Sequence, residues 1–284
     1  MGSQKAVIAL TLAAGLLLSA IVVAAAEPKV TKFCRFQAGK TTAFGKVEGG
    51  TVQEIAGSIF GAWKLTGKTH ALSAVRLLVP VTPGKVLCMA GNYRSHHPDQ
   101  VVDPKFAIPQ LFFKPPSALL PSGADIVLPR GTTNVHYEAE TVLVIGKRAK
   151  NVPKEKALDY GFGVTCGNDI SARDWQKDDV QWWRAKGCDT FGPCGPFVVT
   201  GLNYDDLLVT LRHNGEIKQQ QSTRDLIHDV ATVVSFISRH VTLMPGDLIY
   251  TGTPGTTGPI KPGDVCEVEV EGVGVLKNRV VAGP

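Results

Sequence analysis

Glu138 and Glu140 stand two positions apart at the head of the run Thr141-Val142-Leu143-Val144-Ile145, and Asp169 follows in Gly167-Asn168-Asp169. Side chains two apart on a strand point to one face, so the two glutamates would place like charges together. Such charges repel unless a cation lies between them. Three oxygen donors without an obvious Cys or His partner suit a hard divalent ion, Mg²⁺ first, then Mn²⁺ or Ca²⁺. The plainer alternative is an exposed strand edge with two solvated glutamates. A base is available in Asn92-Tyr93-Arg94-Ser95-His96-His97-Pro98-Asp99. His96 is the candidate, because imidazole exchanges a proton near neutral pH. Asp99, three residues on, would reach it if the loop forms a helical turn. Against this stands a pair of surface histidines in a mobile loop. Tyr93, Lys114 and Arg184 are further groups able to face an anionic substrate.

These residues need elements to hold them. The run from Glu138 ends at Gly146 and is rich in β-branched residues, so it reads as a strand. Val86 to Ala90, Leu111 to Phe113, Ile126 to Leu128 and Gly161 to Thr165 read as further short strands. Residues 92–110 form a proline-containing loop of lid type. Lys154 to Tyr160, after Pro153, reads as one or two helical turns. Asn214-Gly215 joins two apolar runs in a hairpin. Val230, Val233, Val234 and Ile237 recur at helical spacing, which predicts an amphipathic helix over 226–240. Leu248 to Thr251, Val265 to Val270 and Val273 to Val281 read as closing strands. Residues 29–80 alternate short apolar runs with glycine turns, as hairpins do. Patterning alone gives a mixed, β-rich α+β fold of roll or barrel type. Its parts are a small β-rich N-terminal lobe over 27–79 and a main domain over 80–284.

HYEAETVLVIGK followed by GNDISARDWQ resembles the signature of the fumarylacetoacetate hydrolase superfamily. The resemblance runs on through Gly91-Asn92-Tyr93, Phe112-Phe113-Lys114-Pro115, Lys186-Gly187, Phe191-Gly192-Pro193, Gly246-Asp247 and Thr251-Gly252-Thr253-Pro254, over about residues 80–281. It implies a β-roll, a homodimer, and a catalytic Mg²⁺ (or Mn²⁺) held by Glu138, Glu140 and Asp169. It implies that His96 works with an acid in the pattern Asn-Tyr-x-x-His-x-x-Glu; this chain carries Asp99 where the family carries Glu. Gln176 and Lys186 match positions that donate to the substrate oxygen on which charge develops, and Thr253 matches one contacting the substrate carboxylate. Arg173 and Asp174 read as a structural pair beside Asp169. The activity implied is that of a metal-dependent enzyme acting on a small anionic 2-oxo acid or β-diketo acid, most simply by C–C hydrolysis. Isomerisation of 2-hydroxy-diene dioates, oxaloacetate decarboxylation and ureidoglycolate cleavage keep the same site with another reaction. A reading of a different class is an exported protein that binds a metabolite or metal without turnover.

Composition narrows the field. With 284 residues, 44% hydrophobic and 19% charged, the chain is ordinary for a globular protein. A net charge of +5, scattered without a basic run, argues against nucleic acid as a partner. Lys5 precedes an apolar stretch from Ala6 to Ala26 that closes on Ala24-Ala25-Ala26. That pattern predicts a signal peptide over 1–26, cleaved before Glu27, and hence export. An uncleaved membrane anchor is the alternative. Export would permit disulfides, and Cys188 with Cys194 is a candidate bridge among the six cysteines.

Overall fold

The strand Ala139–Ile145 lies mid-sheet in the computed structural model, which describes residues 29–284. It pairs with Gly161–Asn168 on one edge and Leu248–Tyr250 on the other, and all seven of its residues are buried. Its side chains alternate between two apolar clusters. Ala139, Leu143 and Ile145 join one, while Val142 and Val144 join the other. Glu138 and Glu140 fall on the face of Val142 and Val144, as the period of two requires. A buried Val or Leu contributes about 1.5–3 kcal/mol, so this strand anchors whatever it carries.

Among the described residues the strands form a twelve-stranded sheet, a five-stranded sheet and a two-stranded one. The large sheet runs from the N-terminal meander through Thr31–Ala38, Gly192–Thr200, Gly161–Asn168, Ala139–Ile145, Leu248–Tyr250 and Val86–Ala90 to Gln110–Lys114. The meander is therefore joined to the main sheet, with Phe33 opposite Val198. The five-stranded sheet contains the hairpin Leu208–His213 and Glu216–Ser222 with Val265–Val270, Gly274–Ala282 and Ile126–Leu128. The two larger sheets share a core, in which Leu143, Val164 and Val199 meet Leu211, Val268 and Leu276. This is the β-rich α+β fold that the sequence patterning predicts.

Helices are few and short. α1 (Arg173–Asp178) begins within the signature stretch and α2 (Trp183–Gly187) lies just after it, and neither carries a periodic apolar pattern. α3 spans Val230–His240, later than the 226–240 expected, because Asp229 caps it by accepting from Thr232 N at 2.7 Å. The loop over 92–110 is built from three 3₁₀ turns, Arg94–His96, Pro98–Gln100 and Pro104–Ala107. All six cysteines are free thiols, so the Cys188–Cys194 bridge is not formed. Burial pushes the Cys194 thiol up to about 12, which suits a core residue. Among the described residues no helix is long and apolar enough to cross a membrane. The expected signal peptide over 1–26 lies outside the described residues.

Candidate metal and catalytic site

Strand register assembles the acids. Ala139 lies opposite Asn168, so Glu138 and Asp169 face each other one step beyond that pair. Two hydrogen bonds lock the step: Asp169 N donates to Glu138 O at 2.8 Å, and Glu138 N to Asn168 Oδ1 at 2.8 Å. Gly167 permits this crossing, since a Cβ there would lie 2.4 Å from Val142 Cγ2 and 2.5 Å from Tyr250 Cε1. Glu138, Glu140 and Asp169 each offer an oxygen within 4.8 Å of the others. They are 3%, 1% and 1% exposed, which rules out a solvated strand edge.

Burying three carboxylates requires compensation. Lys186 Nζ donates to Glu138 Oε2 at 2.6 Å and to Asp169 Oδ2 at 2.7 Å. Arg173 Nη2 donates to Glu138 Oε1, and also to Thr257 Oγ1 at 2.8 Å. Burial raises the Glu138 carboxyl, but the Lys186 and Arg173 charges outweigh it and hold the group far below the usual range. Glu140 has no cation of its own among the described residues. Burial first, then the charges of Asp169 and Glu138, push its carboxyl well up, against a hydrogen bond from Gly252 N at 2.7 Å and the Lys186 charge. Gly252 has φ +107, and a Cβ there would meet Asn92 Cβ at 2.8 Å, so only glycine delivers that N–H.

The donor set fits a hard divalent cation. The oxygens are all carboxylate, and Asp169 Oδ1 is buried without a directed hydrogen bond. Lys114 Nζ lies 2.5 Å from that oxygen, yet its protons go to the backbone carbonyls of Ile170, Lys186 and Phe191. The contact is Coulombic, and a lone pair is left over.

Glu138 and Glu140 form one wall of a cavity of about 160 Å³, also lined by His96, His97, Arg173, Gln176, Lys186 and Thr253. His96 Nδ1 lies 2.8 Å from Gly255 O, and a carbonyl can only accept, so Nδ1 carries the proton. His97 Nε2 is tied to Gly91 O at 2.8 Å, and its ring packs edge-on to Phe106. Gln176 Oε1 accepts from Arg173 Nη1 at 2.7 Å. Thr253 Oγ1 accepts from Gln219 Nε2 at 2.9 Å, and Gln219 Oε1 accepts from Ala139 N at 3.0 Å.

Several expectations need correction. Asp99 does not pair with His96: the turn breaks at His97, which is extended, and Asp99 itself is left-handed at φ 51, so the two do not share a helical face. Asp99 faces an open groove beside the cavity. Lys114 does not face the cavity, because it is 2% exposed and spent beneath Asp169. Tyr93 is 1% exposed and bridged to Leu226, off the cavity wall. Arg184 is occupied by Asp179, with a shortest contact of 2.7 Å. Arg173 and Asp174 are not a pair. Arg173 serves Glu138, and Asp174 accepts from Thr132 Oγ1 at 2.6 Å. Sequence reasoning missed Gln219, Thr257 and the Gly255 carbonyl; no local motif marks them.

Comparison with known proteins places this geometry. The model for fumarylacetoacetate hydrolase, C-terminal, matches residues 85–281, and an Rv2993c-like N-terminal model matches 31–80. Protein Rv2993c of Mycobacterium tuberculosis is 45% identical over 234 residues, 81% of this chain and 88% of that protein. A mitochondrial oxaloacetate tautomerase of Bos taurus is 38% identical, over 74% of this chain and 70% of its own length. The crystal structure of a 2-hydroxyhepta-2,4-diene-1,7-dioate isomerase from Mycobacterium marinum is similar at TM-score 0.82 and 42% identity, covering 89% of this chain and 98% of that one. A fumarylpyruvate hydrolase from Pseudomonas aeruginosa, in complex with Mn²⁺ and pyruvate, is similar at TM-score 0.67 and 32% identity, over 72% and 91% of the two chains. The expectation of export is overturned: similarity begins at the first strand, and the bovine relative is mitochondrial. With a family model over most of its length and relatives of this identity, the chain belongs to the fumarylacetoacetate hydrolase family.

Proposed function

We propose that the chain is a divalent-metal-dependent enzyme that moves a proton at the carbon beside the carbonyl of a small 2-oxo acid, as a tautomerase or isomerase. The observation supporting this is His96, whose Nδ1 is fixed on Gly255 O while the ring lines the cavity of the acid cluster. That leaves Nε2 to take and return a proton. Glu138, Glu140 and Asp169 would hold the ion, Mg²⁺ in our reading with Mn²⁺ as substitute. Bound there, the ion supplies Lewis-acid polarisation of the substrate carbonyl.

The chain's own residues supply the rest. Lys186 has three donors and spends two on Glu138 and Asp169, so a third is left for an oxygen gaining charge. The Gln176 amide lies on the same wall and adds a second donor. Thr253, whose Oγ1 accepts from Gln219, lines the same cavity and would take the substrate carboxylate. Phe112 and Trp182 pack edge-on at 5.4 Å along one side and limit water. Hydrolysis of a C–C bond is the second reading, favoured by the similar fumarylpyruvate hydrolase. It asks His96 to activate water with an acid to orient it, and Asp99 is turned away from that task.

Incubation with 2-oxo and 2,4-dioxo acids in D₂O, with Mg²⁺ or with chelator, separates the readings. Metal-dependent exchange at the carbon beside the carbonyl, with an intact carbon skeleton, supports the proposal. Release of a pyruvate fragment supports hydrolysis. Neither, across such a panel, ends both.

A further inference from the structure

A second cavity of about 330 Å³ adjoins the one at the acid cluster on its aromatic side, and Ala90, Phe106, Phe112 and Trp182 line both. Leu111 adds apolar surface there, Val180 stands at the exposed rim, and Gln110 and Gln181 add two amides. That adjacency makes this space the nearest one for the far end of a substrate whose head sits at the acids.

Charge decides what the extension accepts. Lys105 is the one charged residue lining it, and that ammonium is already matched, 3.3 Å from Asp103 Oδ2 and 5.1 Å above the Phe106 ring. The Gln110 amide N–H is likewise spent, donating to Lys105 O at 2.9 Å. A carboxylate entering here would lose water and meet no unpaired cation, which is costly. A flat apolar group would meet aromatic faces and edges, which is favourable.

We propose that the second cavity seats the substrate's tail, and that this tail is an uncharged, flat aryl or alkenyl group rather than a second carboxylate. This rests on the 2-oxo acid reading of the head site. It separates the chain from the dioate named for the similar Mycobacterium marinum isomerase. Val180 is the residue on which the choice turns, because it is 97% exposed at the rim and a substitution there meets no packing.

The test uses 2-oxobutanoate, phenylpyruvate and 2-oxoadipate, which share a head and differ in the tail. Their affinities for the Mn²⁺-supplemented protein are measured by calorimetry, independent of turnover. Phenylpyruvate should bind about tenfold or more tighter than either other acid. Val180→Arg should reverse the order of phenylpyruvate and 2-oxoadipate by supplying an unmatched cation. The inference is overturned if 2-oxoadipate binds the unaltered protein as tightly as phenylpyruvate, if Val180→Arg leaves the order unchanged, or if none of the three binds. Absence of proton exchange would sink the proposed reaction alone, since the binding order still decides the tail site.

Discussion

Two buried lysines beside one aspartate have different tasks, and the difference lies in where their protons go. Lys186 points two donors at carboxylates, whereas Lys114 points its donors at three backbone carbonyls and only touches Asp169. Lys114→Met should therefore act on stability. It strands three carbonyls and removes the charge beneath Asp169, at a cost of about 3–5 kcal/mol. Urea unfolding followed by circular dichroism checks this, and a loss under about 1 kcal/mol would show that the contact is dispensable. His96→Ala should leave stability nearly intact and reduce turnover about 10²–10⁴-fold, the usual range for a general base. Asp99→Asn should change turnover little, because no contact joins it to His96. A large Asp99 effect with a small His96 effect would reverse the assignment.

At the scale of elements, α3 gives a pH-dependent test. Its cap Asp229 accepts from Thr232 N and pairs with Lys154 Nζ at 2.7 Å. Burial pushes this carboxyl up, but the bonds from Lys154 and Thr232 outweigh it and leave it below the ordinary value. A depressed carboxyl contributes stability above its unfolded pKa and loses it as pH falls through the folded one. Asp229→Ala should cost about 1 kcal/mol at neutral pH and progressively less in acid. A cost that stays constant from pH 7 to pH 3 would exclude the cap.

Elements also explain what was legible beforehand. The acid pair could be read because strand periodicity is local: residues 138, 140, 142 and 144 share a face whatever the rest of the fold does. The His96–Asp99 pairing could not, because it depends on one peptide's conformation, and the extended His97 breaks the turn. Lys114 and Tyr93 were misread because burial is a tertiary property. Gln219 was invisible because its contacts span 34 and 80 positions of sequence, to Thr253 and Ala139.

For the whole molecule, a divalent ion that binds only the folded chain must stabilise it by mass action. Thermal unfolding should shift upward with Mg²⁺ or Mn²⁺, by about 2.7 kcal/mol at a hundredfold excess over Kd, and return with chelator. A flat response would count against the acid cluster as a metal centre. The sheet makes a stronger demand. Thr31–Ala38 is hydrogen-bonded to Gly192–Thr200, which pairs with Gly161–Asn168, the strand that ends beside Asp169. Phe33 and Phe36 are 4% and 1% exposed, and Phe33 packs on Phe162 at 5.7 Å between ring centroids. The N-terminal meander is thus hydrogen-bonded into the ladder that positions the acids. Phe36→Ala should cost about 3–5 kcal/mol, a large part of a typical domain's 5–15 kcal/mol. Loss of divalent-ion binding and loss of the circular dichroism signal should then move together, as one transition at lower denaturant. If the meander were autonomous, Phe36→Ala would produce an early partial transition while ion binding persisted to the original midpoint, and the single-sheet coupling would be wrong.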